Sequence, residues 1–329
     1  MLSSSALPAW VARFSAVLAL LTLASLAFAE DSSPAPRLRS FEFTYGATIN
    51  GLPPQAVARI WLPVPRTDYE QTVEFVEART PSRPQFTVEQ RFHNRTLYLE
   101  ARANDRGEIP VDIVYRITRS ELLLSRAEAA GKMSMEPYLI SSRMVPGDGS
   151  ILKKLTADGL LEGDGLPRAR ALYNRVDELM KYDKPNGQPW GRGDATWACD
   201  SRYGNCTDFH SVFLGACRDL GIPARFEMGF PIPEQRGAGK VDGYHCWAKF
   251  VNDGRWIPVD ISEADKNPSL KDYYFGNLTA NRVKFTEGRD LELVPAPANG
   301  PVNFLVYPYT EVDGKPHTQF EKRFSYRDL

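Results

Sequence analysis

Apolar and polar residues alternate along much of residues 39–119. This period of two is typical of strands that bury one face. The alternating stretches are short and separated by turn residues, and they are centred on 41–45, 58–62, 73–75, 86–88, 97–101 and 111–117. Several short strands at such spacing predict an antiparallel β-sandwich.

The period changes to that of a helix after residue 205. Apolar residues there recur three and four positions apart, at Phe209, Val212, Phe213, Ala216, Cys217 and Leu220. Asn205 is a suitable N-cap, because its side-chain oxygen can accept a free backbone N–H. Gly221, followed by Pro223, predicts the end of the helix. The spacing therefore predicts a helix whose apolar face packs on a core.

Strand patterns follow this helix. Residues 224–230 alternate, and residues 244–251 and 256–260 have strand composition on either side of an Asn252-Asp253-Gly254 turn. An apolar face at 169–180 predicts another helix before the central one, whereas residues 184–203, rich in Gly, Pro and Trp, are expected to be irregular. The fold class predicted is α+β, with the β-sandwich followed by a central helix packed on an antiparallel sheet.

The same patterns divide the chain. Arg13, an apolar run at 14–28 and Ala27-Phe28-Ala29 predict a signal peptide at 1–29. We therefore expect an exported protein, periplasmic or secreted, with no membrane span after cleavage; an uncleaved anchor is the alternative. The further divisions predicted are a linker at 30–38, the sandwich at 39–119, a connector at 120–150, a catalytic domain at 151–310 and a C-terminal extension at 311–329.

Composition narrows the function. The chain has 40 basic and 41 acidic residues, a net charge of -1 and no basic run, so nothing indicates nucleic-acid binding. All four cysteines lie in the predicted catalytic domain, at Cys199, Cys206, Cys217 and Cys246. If Cys206 stays free, at most one disulfide is possible among the others. Cys199, Cys206 and His210 lack a C-x-x-C spacing, so no metal site is predicted.

Three residues form a candidate catalytic set. Cys206 falls in the first helical turn, where the helix dipole and free N–H groups favour a thiolate. A two-residue turn at Asp253-Gly254, or a four-residue loop at 251–254, puts His245 and Asp260 on one face of the hairpin. Nucleophile, base and orienting carboxylate would then follow in that order. The alternative for Cys206 is an inert core cysteine.

His210 is a rival base because it lies one helical turn after Cys206. Nothing in its local sequence orients its ring, whereas His245 has a carboxylate placed to fix its tautomer. His245 is therefore the preferred base. Asp208 points away from the thiol on the helix and is expected to be structural.

Four motifs carry a family resemblance: Gly204-Asn205-Cys206-Thr207-Asp208, Gly221-Ile222-Pro223-Ala224-Arg225, His245-Cys246-Trp247 and Trp256-Ile257-Pro258-Val259-Asp260. In order and spacing they resemble the core of the transglutaminase-like superfamily, over residues 151–308. The resemblance implies a papain-like fold with Cys206, His245 and Asp260 as the triad. Cys246 replaces a common Ala, and Ile261-Ser262 replaces the usual Pro-Thr.

The hypothesis for function is cysteine-dependent acyl transfer through a thioester. Hydrolysis of a peptide or amide is preferred, with peptidoglycan stem peptides among the possible substrates. An amine-accepting transglutaminase and a non-catalytic peptide- or protein-binding module are the alternatives. Trp190, Trp197 and Tyr203 are candidates to line the substrate groove. Trp197 is also a candidate oxyanion donor beside the Cys206 backbone N–H.

Two further expectations concern the surroundings of this site. Residues 231–243 form either a mobile lid or a plain surface loop. No cofactor is expected. Calcium is not predicted, because the sequence has no D-x-D-x-D-G pattern.

Overall fold

The computed structural model describes residues 35–329 apart from 133, 157–162 and 186. The predicted signal peptide and most of the predicted linker lie outside the described residues. The helices are α1 Glu136–Leu139, α2 Ser150–Leu155, α3 Gly165–Leu179, α4 Ala195–Ser201, α5 Cys206–Asp219 and α6 Ile261–Lys266. No helix in this part of the chain is long and apolar enough to cross a membrane.

The strands are mostly antiparallel. They are β1 Leu38–Ile49, β2 Val57–Val64, β3 Gln71–Arg79, β4 Gln85–Val88, β5 Arg95–Arg102, β6 Ile109–Ser120, β7 Glu128–Ala129, β8 Lys181–Tyr182, β9 Tyr203–Gly204, β10 Ala224–Pro231, β11 Ala238–Val241, β12 His245–Asn252, β13 Arg255–Val259, β14 Arg282–Glu287, β15 Tyr309–Val312, β16 Lys315–His317 and β17 Phe320–Asp328. The protein is therefore a sheet-rich α+β fold, as predicted.

Two five-stranded sheets contain the alternating stretches of the N-terminal third. Their strand orders are β11-β17-β1-β6-β3 and β16-β15-β2-β5-β4. In β1, Phe41, Phe43 and Tyr45 are fully buried and alternate with partly exposed residues. The alternation in the sequence thus corresponds to one buried face of the strand.

The segment predicted as a C-terminal extension pairs with these sheets. Strand β17 lies between β1 and β11, with Tyr45 opposite Phe324, and β15 pairs with β2. Phe324 and Tyr326 are buried, which explains the pairing: their side chains complete the apolar face of the sheet. Residues far apart in sequence therefore build each of the two sheets.

The third sheet carries the strands around the central helix, in the order β14-β10-β12-β13-β7. Helix α5 packs against β10 and β12. All residues of this helix from 206 to 218 are buried, including Phe209, Val212 and Phe213 of the predicted stripe, so the helix is enclosed on every side. The helix ends at Asp219, and Gly221 takes the left-handed conformation (φ 69°) that glycine permits. A helix on an antiparallel sheet is the arrangement expected from the sequence.

Aromatic side chains join the three sheets into a continuous core. Phe43 of β1 contacts Phe230 of β10 and Phe285 of β14, with ring centroids 5.1 and 5.6 Å apart. Tyr115 of β6 meets Phe285 edge-on at 5.9 Å. The sheet that holds β1 and β6 therefore packs directly on the sheet that carries His245.

One expected irregular segment contains a helix. Residues 195–201 form α4, whose N-cap Asp194 accepts a hydrogen bond from the Trp197 backbone N–H. The expectation of irregular structure throughout 184–203 was wrong, because this capped seven-residue helix is too short to produce an apolar stripe that can be recognised.

Candidate active site

The start of α5 is held by a reciprocal cap. The Asn205 side chain accepts the Thr207 N–H at 2.8 Å, and the Asp208 carboxylate accepts the Asn205 N–H at 3.0 Å. Asp208 also accepts the backbone N–H groups of Gly191 and Gly193, at 2.6 and 2.9 Å. Its predicted structural role is confirmed: it fixes the preceding loop against the first turn of the helix.

Cys206 is the first residue of this helix and is only 2% exposed. Its backbone N–H has no hydrogen-bond partner among the described residues. A free N–H at a helix N-terminus can stabilise negative charge, either on the sulfur or on an oxygen bound beside it. The helix therefore supplies both the thiol and a donor for an oxyanion.

The hairpin of β12 and β13 brings His245 and Asp260 together. Ala248 lies opposite Val259 in the register of a two-residue turn, in which Asp253 and Gly254 both have positive φ. His245 Nε2 donates to Asp260 Oδ2 at 2.8 Å. Of the two loop lengths considered from the sequence, the structure has the two-residue turn.

The electrostatic partners of the Cys206 thiol include the His245 imidazole. Because Nε2 is bound to Asp260, Nδ1 is the nitrogen left for the sulfur. Burial opposes charge on both groups, yet interactions with Cys246 and His245 hold the pKa of Cys206 well below its usual value. Burial likewise lowers the pKa of His245, but Asp260 and Cys206 outweigh it and raise it to about 10. The favoured state is a thiolate beside an imidazolium.

The carboxylate of Asp260 is fully buried and has three further donors. Arg282 Nη1 donates to Oδ2 at 3.0 Å, while the Ser262 hydroxyl and the Glu263 N–H donate to Oδ1 at 3.2 Å. Burial raises the pKa of Asp260, but the neighbouring cations dominate and leave it far below its ordinary value. Arg282 was not found from the sequence, because no local pattern connects residues 22 positions apart.

His210 does not contact the sulfur through a ring nitrogen. Nδ1 donates to the Cys206 carbonyl oxygen at 2.7 Å, and Nε2 accepts the Ile261 N–H at 3.1 Å. This pair of bonds requires a neutral ring with its proton on Nδ1. Burial agrees, since it lowers the pKa of His210. The ring thus connects the segment that carries Cys206 to the segment that carries Asp260.

Tyr244 is a second residue that the sequence reasoning did not single out. Its hydroxyl lies 3.0 Å from Asn205 Nδ2 and 2.8 Å from Thr207 Oγ1, the two neighbours of Cys206. Burial and the nearby Cys206 raise the pKa of this phenol well above its usual value. Its position directly before His245 was the available signal.

A cavity of about 390 Å³ opens onto His245. Its lining includes Glu234, Tyr244, Tyr274 and Arg282. One wall is the segment 231–243, in which β11 pairs with β17 of the N-terminal sheet. The segment considered as a mobile lid or surface loop is therefore partly a strand that is fixed to that sheet.

Arg39 holds the same wall from the opposite side. This fully buried side chain donates to the Pro233 and Gln235 carbonyl oxygens, to Asn281 and to Asp328. Arg39 lies in β1 and Asp328 in β17, so the N-terminal sheet positions part of the cavity next to His245.

Two of the three groove candidates line a smaller cavity, whose lining does not include His245. Trp190 and Trp197 line a cavity of about 70 Å³ with Pro189 and Arg192. Trp197 packs edge-on against Tyr203, and Trp190 against Tyr182. No hydrogen bond joins the Trp197 indole to the three site residues within the described chain, and its role as an oxyanion donor stays a prediction.

Comparisons with known proteins show what this chain resembles in sequence and in fold. Residues 154–261 match the sequence profile of the transglutaminase-like superfamily. A crystal structure of a candidate cysteine protease from Cytophaga hutchinsonii is 14% identical, covers 89% of this chain and 100% of its own, and superposes with a TM-score of 0.52, so the two share a fold. The periplasmic domain of TgpA from Pseudomonas aeruginosa is 17% identical over 73% of this chain and 94% of its own, with a TM-score of 0.23.

A relative from Haemophilus influenzae extends the similarity along the chain. This uncharacterized protein is 26% identical over 360 aligned positions, which cover 94% of this chain and 97% of the relative. The similarity therefore includes the N-terminal sheets as well as the segment around Cys206.

Proposed function

We propose that Cys206, His245 and Asp260 catalyse acyl transfer through a thioester. The proposal starts from the match of residues 154–261 to the transglutaminase-like superfamily. The preferred reaction is hydrolysis of a peptide or side-chain amide. The observation that carries the proposal is one imidazole that bonds a buried carboxylate at 2.8 Å and whose pKa is raised by that carboxylate and by the thiol at the helix start.

The steps follow from the protonation states. The Cys206 thiolate attacks the amide carbonyl carbon, and the carbonyl oxygen becomes an oxyanion beside the Cys206 N–H. The His245 imidazolium gives its Nδ1 proton to the amide nitrogen, the C–N bond breaks and the amine leaves. Neutral His245 then takes a proton from water, which attacks the thioester and releases the acid. Asp260 holds the ring and stabilises its charged form.

The cavity gives the substrate a direction. The cavity of about 390 Å³ includes His245 in its lining, and the leaving amine takes its proton from that imidazole. We therefore assign this cavity to the amine-bearing part of the substrate. We assign the acyl part to the smaller cavity that Trp190 and Trp197 line.

Thiol labelling tests whether the site is reactive. Iodoacetamide should modify Cys206 at about pH 6 faster than it modifies an ordinary cysteine, whose pKa is about 8.5. Cys206→Ala should remove the label, and Cys217→Ala should keep it. Labelling no faster than that of an ordinary thiol would favour the binding module, which needs no thiolate.

A second assay separates the acceptors. Casein, or peptidoglycan stem peptides as a candidate for an exported enzyme, is incubated with a fluorescent primary amine. New peptide termini without incorporated amine indicate hydrolysis. Incorporated amine indicates a transglutaminase, which the cavity beside His245 also permits because an incoming amine could occupy it. If neither product forms above the level seen with Cys206→Ala, the proposal is contradicted for these substrates.

A further inference from the structure

A second thiol lies against the candidate nucleophile. Cys246 follows His245 in β12, which packs on α5, and its side chain is fully buried. Its sulfur lies 3.8 Å from Thr207 Oγ1 and 3.8 Å from His210 Nδ1. These two residues lie one and four positions after Cys206, at the start of α5. Cys246 therefore faces the same turn as the reactive sulfur.

The two thiols also influence each other electrostatically. Burial raises the pKa of Cys206, but the Cys246 thiol and His245 outweigh it and lower that pKa. Burial and the Cys206 charge raise the pKa of Cys246 well above its usual value. One sulfur is thus a thiolate and its neighbour a protonated thiol, which is the arrangement of an oxidisable cysteine beside a resolving cysteine.

We propose that Cys206 and Cys246 form a reversible disulfide when a hydroperoxide oxidises Cys206, and that this disulfide switches the site off. Cys246 neither attacks the substrate nor transfers a proton in the acyl-transfer steps, since the proton transfers belong to His245. Cys217 does not compete for Cys206, because it lies eleven residues along the same helix, about 16 Å away at 1.5 Å per residue.

The chemistry balances in two steps. The Cys206 thiolate attacks one peroxide oxygen, the O–O bond breaks, and the products are a sulfenic acid and hydroxide, or an alcohol from an alkyl peroxide. The Cys246 sulfur then attacks the Cys206 sulfur, the S–O bond breaks, and the Cys246 proton leaves with the hydroxyl as water. Cys206 is oxidised, the peroxide is reduced, and a dithiol can later restore both thiols.

Mass spectrometry of the whole protein tests this. The wild type is treated with a modest excess of hydrogen peroxide, free thiols are blocked in denaturant, and the intact mass and peptides are measured. We expect a loss of two hydrogens, a peptide cross-link between Cys206 and Cys246, complete loss of iodoacetamide labelling at Cys206, and recovery of labelling with dithiothreitol.

Variants give the converse result. In Cys246→Ala or Cys246→Ser, Cys206 should instead gain two oxygens as a sulfinic acid, and dithiothreitol should not restore labelling. If the alanine variant weakens the fold, the serine variant serves instead, because it preserves the side-chain size. Cys217→Ala is the control and should behave as the wild type.

Three results would overturn the proposal. They are direct passage of wild-type Cys206 to sulfinic acid, a cross-link that uses another cysteine, and full reversibility in both Cys246 variants. Resistance of wild-type Cys206 to peroxide would equally count against it. None of these measurements requires a substrate, so the switch can fail while the proposed acyl transfer holds.

Discussion

Replacing Asp260 with asparagine should return Cys206 and His245 to their neutral forms. The carboxylate lies 2.8 Å from His245 Nε2 and is fully buried, so it is the main group that favours the imidazolium. Asparagine is similar in size and is itself a good N-cap. The Glu263 N–H of α6 therefore keeps an acceptor, and the change removes charge more than structure.

The size of the effect follows from the distance. Two unit charges 2.8 Å apart attract by about 6 kcal/mol at an effective dielectric constant of about 20. Arg282 shares the same carboxylate oxygen and reduces the part that acts on His245. If half of this attraction acts on His245, Asp260→Asn loses about 3 kcal/mol of it. This loss corresponds to a decrease of about 100-fold in the thiolate population of Cys206.

Iodoacetamide labelling measures this population. At about pH 6, well below the pKa of about 8.5 of an ordinary cysteine, the labelling rate of Cys206 should fall about 100-fold in Asp260→Asn. At high pH the labelling rates of the wild type and Asp260→Asn should become similar, because every thiol is then ionised. Asp253→Asn is a matched control: the same change in the same hairpin, at an exposed turn residue with φ 47°. Equal low-pH rates in the wild type and Asp260→Asn would refute the electrostatic reasoning.

Three other results are expected. The rate of amide cleavage should decline above about pH 10, because His245 then loses the proton that the leaving amine needs. The rate of Cys206 alkylation should not decline there, and pH–rate profiles of both reactions measure the difference. Arg39→Ala should raise KM more than it lowers kcat, as steady-state kinetics can measure. It should also reduce the unfolding free energy in urea by about 2–4 kcal/mol, because partly buried Asp328 and two carbonyl oxygens lose a donor. His210→Ala should also lower the unfolding free energy by about 2–4 kcal/mol, because two buried backbone groups lose their partner. His245→Ala should instead abolish the fast labelling of Cys206. If His210→Ala abolished the labelling and His245→Ala did not, His210 would be the base.

The parts of the site that could be predicted from the sequence depend on short-range geometry. A helix start, its cap and its apolar stripe are set by residues within a few positions of one another, so Asn205 and the position of Cys206 were accessible. The turn at Asp253-Gly254 fixes the register of its own hairpin, and that register fixes the relation of His245 to Asp260.

The missed features depend on contacts across long stretches of chain. Arg282 meets Asp260, and Arg39 meets residues 194 or more positions away, through a fold that no local pattern encodes. The apolar alternation of β17 predicts a buried face but not which strand it joins. Tyr244 and Cys246 were visible as neighbours of His245, yet only the packing of β12 on α5 shows that both reach the turn at Cys206.

The position of β17 between β1 and β11 has a consequence for biosynthesis. The ribosome makes Phe320–Asp328 after every residue of the active site, and yet this strand holds the wall of the cavity beside His245. A nascent polypeptide can therefore contain the complete set of reactive groups before it can enclose an amine next to them. Completion of the cavity wall, and its loss when a protease trims this strand, would then occur without any change at Cys206, His245 or Asp260.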